Sequence, residues 1–401
     1  MILKGKIAEP IRIHGKIGKA FPTFTVTFKD GNTVLQQVQV KQGRTATYNG
    51  TVPAKDGNAF FGWGTYYRSN PIVNPDDVTV YQEITNVQQD TTCWAVYADK
   101  TIIQDSWEVI SQRSRAGTAS DYYNVGDRKK IHIEGTVGTL SVNQNVYVNI
   151  LGFDHNSTLE GNGITFGFFK DTGRLKDCGL VDSTYRSDTT DGTKAFNMNH
   201  WGNANYGGWA GCDLRYDILG STDVAPSGYG SIPDSSRIGY DATSTCATNP
   251  VANTLMSCFP ADLRAAMKPM TKYTCNLSSE SNTAAMVTAT TDYLPLLSEF
   301  EVFGSRKNSN FYEQDKQKQY AYFAAGNSAP QHNNAAKYKY PYPPYDPSAT
   351  CQWWQRSPSY SPGTTFCNAY PYGSPVSDDK YAVSETEYAF KSLGLAPIFL
   401  I

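Results

Sequence analysis

Hydrophobic and polar positions alternate most cleanly near the start of the chain. Phe24-Thr25-Val26-Thr27-Phe28 has period two and predicts a half-buried strand. Lys29-Asp30-Gly31-Asn32 supplies turn residues, and Val34 to Val40 predicts a second strand that closes a hairpin. Phe60-Phe61-Gly62-Trp63 and a final strand, Val78-Thr79-Val80-Tyr81, complete an expected compact unit over residues 21–86. Residues 1–20 carry Gly5-Lys6-Ile7, then Gly15-Lys16-Ile17, around an alternating Ile11-Arg12-Ile13. They hold too few apolar residues for a core and are expected to form an extended arm. Residues 87–106 are expected to be a linker, with Cys93–Tyr97 and Thr101–Ile103 as strands that either neighbour can claim.

From Trp107 to Ile401 the pattern predicts one domain of many short elements. Lys130–Ile133, Val146–Ile150 and Ile164–Phe168 read as strands. Helical patterns are fewer. Trp209 to Leu219 places Trp209, Cys212 and Tyr216 on one face, and Pro260 to Lys268 begins with Pro near the first helical position and stops before Pro269. Tyr293 to Phe303 is apolar at mixed spacing and fits neither period. Long polar loops are expected over Ser183–Tyr206 and Gly220–Asn249. The terminal run Leu395, Ile398, Phe399, Leu400 and Ile401 lacks alternation, which predicts a strand covered on both faces.

Composition narrows the class. Charged residues make up 18% of 401, below the roughly 25% of ordinary soluble domains. With 35 basic against 37 acidic side chains, the net charge of −2 gives no electrostatic reason for a nucleic-acid or anionic-membrane partner. Aromatics reach 13%, which disfavours disorder, coiled coil and collagen and leaves a loop-rich, β-leaning globular protein. The first ten residues lack the apolar centre of a secretory leader, and no stretch approaches the ~20 apolar residues of a membrane span. The chain is therefore expected to be made in a cytoplasm and not to insert into a membrane. The two closest of the eight cysteines, Cys246 and Cys258, are twelve positions apart. A structural zinc site is not expected, and the thiols are expected to be buried small apolar side chains, although an even count leaves disulfides open.

Enzyme templates fail in turn: there is no Gly-x-Gly-x-x-Gly, P-loop, Gly-x-Ser-x-Gly or His-Glu-x-x-His. Asp154-His155 is the only adjacent carboxylate–imidazole pair, and Asp188-Thr189-Thr190-Asp191-Gly192 hints at calcium-loop spacing without the later ligands. No catalytic residue, metal or cofactor is expected, so the expected function is not enzymatic.

The informative stretch is near the C-terminus. Residues 320–390 hold eleven of the 27 tyrosines, interleaved with Ser, Asn, Gly and Pro. Tyrosine offers large amphipathic contact area at low entropic cost, and Ser, Gly and Asn add adaptable hydrogen bonds, as in antibody paratopes. Core tyrosines would alternate with aliphatics, yet between Ser359 and Phe390 only Val376 and Val383 are β-branched aliphatics. Surface display is expected, with Ser359, Tyr360, Ser361, Asn368, Tyr370, Tyr372, Ser374, Tyr381, Ser384 and Tyr388 as ligand-binding candidates. Charge there is sparse, with Asp378, Asp379 and Lys380 clustered at one edge. The borders are bulky and apolar, so Trp353, Trp354, Arg356, Gly394 and Pro397 are expected to be framework.

Two resemblances sharpen this picture. The "VTFKDG" strand and hairpin, the Phe61-Gly62-Trp63 motif and the "VTVY" of Val78–Tyr81 resemble the Listeria–Bacteroides repeat, the internalin B-type β-grasp module. That module implies a spacer without catalysis over residues 21–86. Trp353-Trp354-Gln355-Arg356-Ser357-Pro358, then Phe366-Cys367, then Gly394-Leu395-Ala396-Pro397-Ile398-Phe399 resemble a C-type-lectin-like domain of phages and gut bacteria. Trp107–Ile110, Val125–Asp127 with Lys129, Gly207–Trp209 with Leu214-Arg215, and Glu299–Gly304 fit the same domain. The resemblance covers residues 107–401 and extends to the major tropism determinant and to target proteins of diversity-generating retroelements. It implies a β-rich α+β fold: an N-terminal arm, a small β-grasp-like module, and a lectin-like head with long loops and few short helices. It also implies a ligand-binding, diversified segment at about 351–394. The function it implies is that of a phage tail-fibre receptor-binding protein or, alternatively, a bacterial cell-surface adhesin or a virion decoration protein. Expected partners are a bacterial surface receptor, glycan or protein, and other virion proteins through the arm, with the chain itself a homotrimer. The Glu-Pro-Asn, Gln-Pro-Asp and Trp-Asn-Asp sugar motifs of animal lectins are absent, which speaks against calcium-mediated sugar binding. The resemblance reaches the formylglycine-generating enzymes too, but Cys351 and Cys367 are sixteen apart, unlike the close cysteine pair of those enzymes.

Overall fold

The fold is β-rich α+β, with several sheets and few, short helices. A computed structural model describes the chain from residue 21 to 401 apart from 73–77, 173–175, 190–193, 201, 203, 224–243, 277–281, 325–335, 345, 347, 362 and 373–380. The expected arm, residues 1–20, lies outside the described residues. The chain divides into two units, Met1–Lys100 and Thr101–Ile401.

In the first unit, β1 (Thr23–Asp30), β2 (Thr33–Lys41), β3 (Asn58–Gly64) and β4 (Thr91–Asp99) form one sheet in the order β2-β1-β4-β3. β1 and β2 are the expected hairpin, antiparallel from Thr23–Lys41 to Asp30–Thr33, and β1 runs parallel to β4. The alternation of β1 buries Val26 and Phe28 against Trp63, Cys93, Ala95 and Tyr97.

Two expectations are corrected here. Val78–Tyr81 is not a strand; only Tyr81 joins the ladder, exchanging main-chain hydrogen bonds of 2.8 and 2.9 Å with Trp63. The fourth strand comes instead from the stretch expected to be linker. Cys93, Ala95, Val96, Tyr97 and Ala98 are buried between β1 and β3, and a nearly continuous apolar run is what a central strand with both faces covered requires.

In the second unit the strands are β5 (Arg128–Val137), β6 (Leu140–Phe153), β7 (Ile164–Asp171), β8 (Asp177–Leu180), β9 (Met270–Cys275), β10 (Val287–Asp292), β11 (Tyr340–Tyr342), β12 (Trp353–Pro358), β13 (Thr365–Tyr372), β14 (Tyr381–Tyr388) and β15 (Ile398–Leu400). A six-stranded sheet runs β11-β8-β7-β6-β5, with β15 also on β7; β9 and β10 form a ribbon; β12-β13-β14 form a third sheet. β15 explains the missing alternation of the C-terminus. Leu395, Phe399 and Ile401 belong to one core with Trp107, Phe166 and Trp354, whereas Ala396, Ile398 and Leu400 belong to another with Leu151, Phe168 and Trp353. The last strand is the wall between two cores.

Helices are short. Trp107–Arg115 is capped by Ser106 Oγ, which accepts from the Val109 N–H at 3.3 Å. The helix expected at Pro260 spans Ala261–Ala266, and Trp209, Cys212 and Tyr216 are buried on a one-turn helix followed by a π-turn, Leu214–Ile218. Tyr293–Phe303 resolves into a helix only over Glu299–Phe303. Ser298 Oγ accepts from the Glu301 N–H at 3.1 Å, and the Glu301 carboxylate accepts from the Ser298 N–H at 2.8 Å.

Candidate ligand-binding site

The sheet β12-β13-β14 carries the candidate site beside the helix Glu299–Phe303, and a buried ionic cluster anchors it from below. Arg356, on β12, is fully buried and donates through both terminal nitrogens to Glu301; its Nε donates to Thr274 Oγ1 at 2.8 Å. Lys272, on β9, donates to Glu160 at 2.6 Å, to Glu301 at 2.8 Å and to the Tyr320 hydroxyl at 3.0 Å. Burial opposes charge on Glu301, but Arg356 and Lys272 hold its carboxyl well below the usual carboxylate range. The neighbouring Trp353 and Trp354 are fully buried on opposite sides of β12, with their indole N–H groups donating to the Lys337 and Phe196 carbonyls at 3.0 and 2.9 Å. Gly394 packs so closely that a Cβ would stand 2.3 Å from Cys351 Sγ, and the Pro397 carbonyl accepts from the Phe168 N–H at 2.9 Å.

Above this base, Tyr372 on β13 lies opposite Tyr381 on β14, their rings stacked at 5.5 Å and 10°. Tyr370 joins them, its ring 5.1 Å from that of Tyr372. Beside them is a cleft of about 490 Å³, bounded by Phe303, Lys307, Tyr372, Tyr381, Ser384 and Glu385. Its floor is fixed by Glu299. That buried carboxylate accepts from the N–H groups of Lys307, Asn308 and Ser309 at 2.9, 3.0 and 2.8 Å, and from the Ser384 hydroxyl.

The sequence-derived candidates thus separate. Tyr370, Tyr372 and Tyr381 are brought together at one end of the hairpin. Tyr388 is exposed at the other end, opposite Thr365, seven residues or about 24 Å along the strand, and stacks on Phe390 at 5.5 Å. Tyr360 and Ser361 are exposed beyond β12, where the Tyr360 N–H donates to the Asn308 carbonyl. Ser374 lies outside the described residues.

Three candidates are corrected. Ser359, Asn368 and Ser384 are buried: the Ser359 hydroxyl donates to the Ser361 carbonyl, Asn368 Oδ1 accepts from Gln352 Nε2 at 3.0 Å, and the Ser384 hydroxyl donates to Glu299. Small polar side chains on a strand face that meets other elements are drawn into the packing. The tyrosine-rich stretch divides as well. Tyr320, Tyr338, Tyr340 and Tyr342 are core residues, whereas Tyr360, Tyr372 and Tyr388 are exposed.

Glu299, Phe303, Lys307 and Glu385 escaped the sequence reading as site residues. The pattern that locates the first two is Ser298-x-x-Glu301, a capping box that starts a helix at Glu299.

Among the described residues, one group has metal-ligand chemistry. Ligand atoms of His155, Glu160 and Glu301 lie within 4.8 Å of one another. The ammonium of Lys272 already bonds both glutamates and supplies the positive charge a cation would bring, so these residues do not fit a metal. His155 stacks on Tyr320 at 3.6 Å, and burial pushes its imidazole down to about 3, which keeps it neutral. All eight cysteines are buried; burial pushes the Cys351 thiol up to about 12 and the Cys367 thiol well above its usual range. Neither is a ready nucleophile at neutral pH.

Residues 186–401 match a family described as a domain of unknown function, DUF6273. The chain belongs to the DUF6273 family. No curated protein and no solved structure matches the chain. The DUF6273 span contains the whole cleft, the three clustered tyrosines, Arg356 and Glu301. It does not contain β5, β6 and β7, although β15 at its end hydrogen-bonds to β7. The packed unit is therefore longer than the DUF6273 match.

Proposed function

We propose that this protein is a virion receptor-binding protein, which attaches to a bacterial surface receptor through the tyrosine-bearing end of the β13–β14 hairpin. The observation that carries the reading is the cluster of Tyr370, Tyr372 and Tyr381 beside an open cleft. Tyr372 is exposed and Tyr370 and Tyr381 are half-buried, and large rings left partly uncovered together at a surface mark interaction sites. They stand on a rigid base, so little order must be created on binding, which is what a high-affinity contact needs. The resemblance to C-type-lectin-like variable proteins supports a virion location. In this reading the first unit serves as a spacer and residues 1–20 as the attachment arm.

The test is the triple variant Tyr370→Ala, Tyr372→Ala, Tyr381→Ala, assayed for melting and for binding to a panel of bacterial isolates. Truncating central aromatic contacts typically costs about 2 kcal/mol or more each. A loss of binding of more than about tenfold with nearly unchanged melting is expected. Unchanged binding would overturn the proposal.

A further inference from the structure

The cleft has two kinds of lining. One is aromatic: the rings of Tyr372 and Tyr381 lie nearly parallel, 10° apart, and Phe303 adds a third ring. Tyr372 is 42% exposed, so ring surface is open to a ligand. The other is polar. Lys307 Nζ stands 3.2 Å from Glu385 Oε1, and the two side chains are 61% and 39% exposed. Lys307 Nζ also donates to the Ser384 carbonyl at 3.3 Å. Among the described residues, these two bonds leave one of the three N–H donors of the ammonium free, and the carboxylate keeps most of its roughly four acceptor sites. The pair is neutral. The remaining carboxylate, Glu299, is buried and taken up by main-chain N–H groups and the Ser384 hydroxyl. A spare donor and a spare acceptor thus stand side by side in a cleft that aromatic rings also line.

We infer that the cleft binds a neutral glycan of the bacterial surface, with Lys307 and Glu385 gripping two adjacent hydroxyls while the C–H face of a sugar ring lies on the tyrosines. This rests on the receptor-binding reading and deepens it by naming the ligand class. A hydroxyl both donates and accepts. The two oxygens of a vicinal diol stand about one hydrogen-bond length apart, which matches the 3.2 Å between Nζ and Oε1. One oxygen accepts from the ammonium, its neighbour donates to the carboxylate, and the ion pair stays intact. Sugar C–H groups carry partial positive charge and suit the negative face of an aromatic ring. Charge selects further. An acidic sugar would set its carboxylate against Glu385, and a cationic ligand would meet Lys307. An apolar side chain of a protein partner would cover the rings but shut the spare N–H and the carboxylate away from water without partners, which costs free energy. The volume of about 490 Å³ lies within the ~300–1,000 Å³ of small-ligand sites.

The experiment uses the full chain and isolates that bind it. Cells are treated with mild periodate, which cleaves vicinal diols, followed by borohydride, or separately with proteinase K. Loss of binding after periodate is expected. Binding that survives proteinase K then places the glycan on a polysaccharide or lipid, and loss after both treatments places it on a surface protein. Binding that survives periodate overturns the inference while leaving the receptor-binding reading intact. Failure to bind any isolate sinks both. Two variants locate the grip. Lys307→Met and Glu385→Ala remove one partner each of an exposed ion pair, so melting should change little. Each is expected to bind untreated cells more than about tenfold more weakly than the parent. Unchanged binding by either variant would overturn the inference, and should a variant fail to fold, the periodate treatment decides.

Discussion

Arg356 and Glu301 form a two-pronged ion pair that water does not reach: Nη1 and Nη2 of the guanidinium donate to Oε2 and Oε1 of the carboxylate, and neither side chain has exposed surface. The same carboxylate caps its own helix through the Ser298 N–H and receives Lys272. Three elements therefore meet at one side chain: β12, β9 and the helix that floors the cleft.

Breaking a buried pair leaves an uncompensated charge, which typically costs about 3–5 kcal/mol. Arg356→Met is expected to lower the free energy of unfolding by that amount in denaturant titration. Arg356→Lys keeps the charge but loses the fork and the bond to Thr274, and should fall between. A Met variant within about 1 kcal/mol of the parent would remove the pair from the framework.

The C-terminal strand makes a second prediction. Phe399 packs with Phe166 at 5.5 Å, Trp107 at 6.0 Å and Phe259 at 6.1 Å. The Leu400 carbonyl accepts from Lys268 and the Ile401 carbonyl from Ile164. Phe399→Ala should cost about 3–5 kcal/mol. Deleting Ile398–Ile401 opens both cores at once, and the product is expected to be insoluble. A soluble truncation with a single cooperative melting transition would contradict the two-core arrangement.

How far the sequence carried these features depended on the range of the forces involved. Period-two alternation located β1 and β2, since one face of each needs only a local pattern. The unbroken apolar run at Leu395–Ile401 foretold cover on both sides. By contrast, Cys93–Tyr97 reads as a strand but carries nothing that assigns it to β1, and parallel pairing 65 residues away in sequence is set by tertiary packing. Arg356 stood out as a lone cation among bulky apolar residues; its partner Glu301, 55 positions upstream, did not. The same holds for the site. Tyrosine density pointed to the hairpin, but nothing in the local pattern separates Tyr320, a core residue bonded to Lys272, from Tyr372 at the surface. Likewise Ser384 reads as a surface hydroxyl until Glu299 arrives beneath it.

A third prediction concerns pH. Glu313 is buried beside the ionic cluster and accepts from the Cys275 N–H at 2.8 Å, Ser357 Oγ at 2.6 Å and Gln317 Nε2 at 3.2 Å. Burial outweighs these bonds and pushes its carboxyl up to about 7. A carboxyl raised in the folded state contributes stability that is full below its unfolded value near 4.5 and is lost as pH rises through about 7. The shift corresponds to at most about 3 kcal/mol. Melting should therefore fall between about pH 5 and pH 8, and Glu313→Gln should flatten that slope. An unchanged slope in the variant would assign the pH dependence elsewhere.

The last prediction separates a positioning carboxylate from a surface one. Glu299 and Glu385 both border the cleft. Glu299 is buried and gathers the N–H groups of residues 307–309 together with the Ser384 hydroxyl. Glu385 is partly exposed and meets only the Lys307 ammonium among its described side-chain partners, at 3.2 Å. A side-chain amide in place of the Glu299 carboxylate turns one acceptor into a donor, leaving buried N–H groups without a partner at about 1–3 kcal/mol. Glu299→Gln is therefore expected to lower stability by that amount and to speed amide exchange at Lys307–Ser309 by tenfold or more, about 1.4 kcal/mol of local opening. Glu385→Gln should change stability by less than about 1 kcal/mol, as exposed ion pairs do, and leave exchange at those amides near that of the parent. Binding then discriminates further. If Glu299 acts by holding the Lys307 loop against β14, its variant weakens receptor binding in step with faster exchange at residues 307–309. Weakened binding with unchanged exchange would mean that the carboxylate meets the receptor itself.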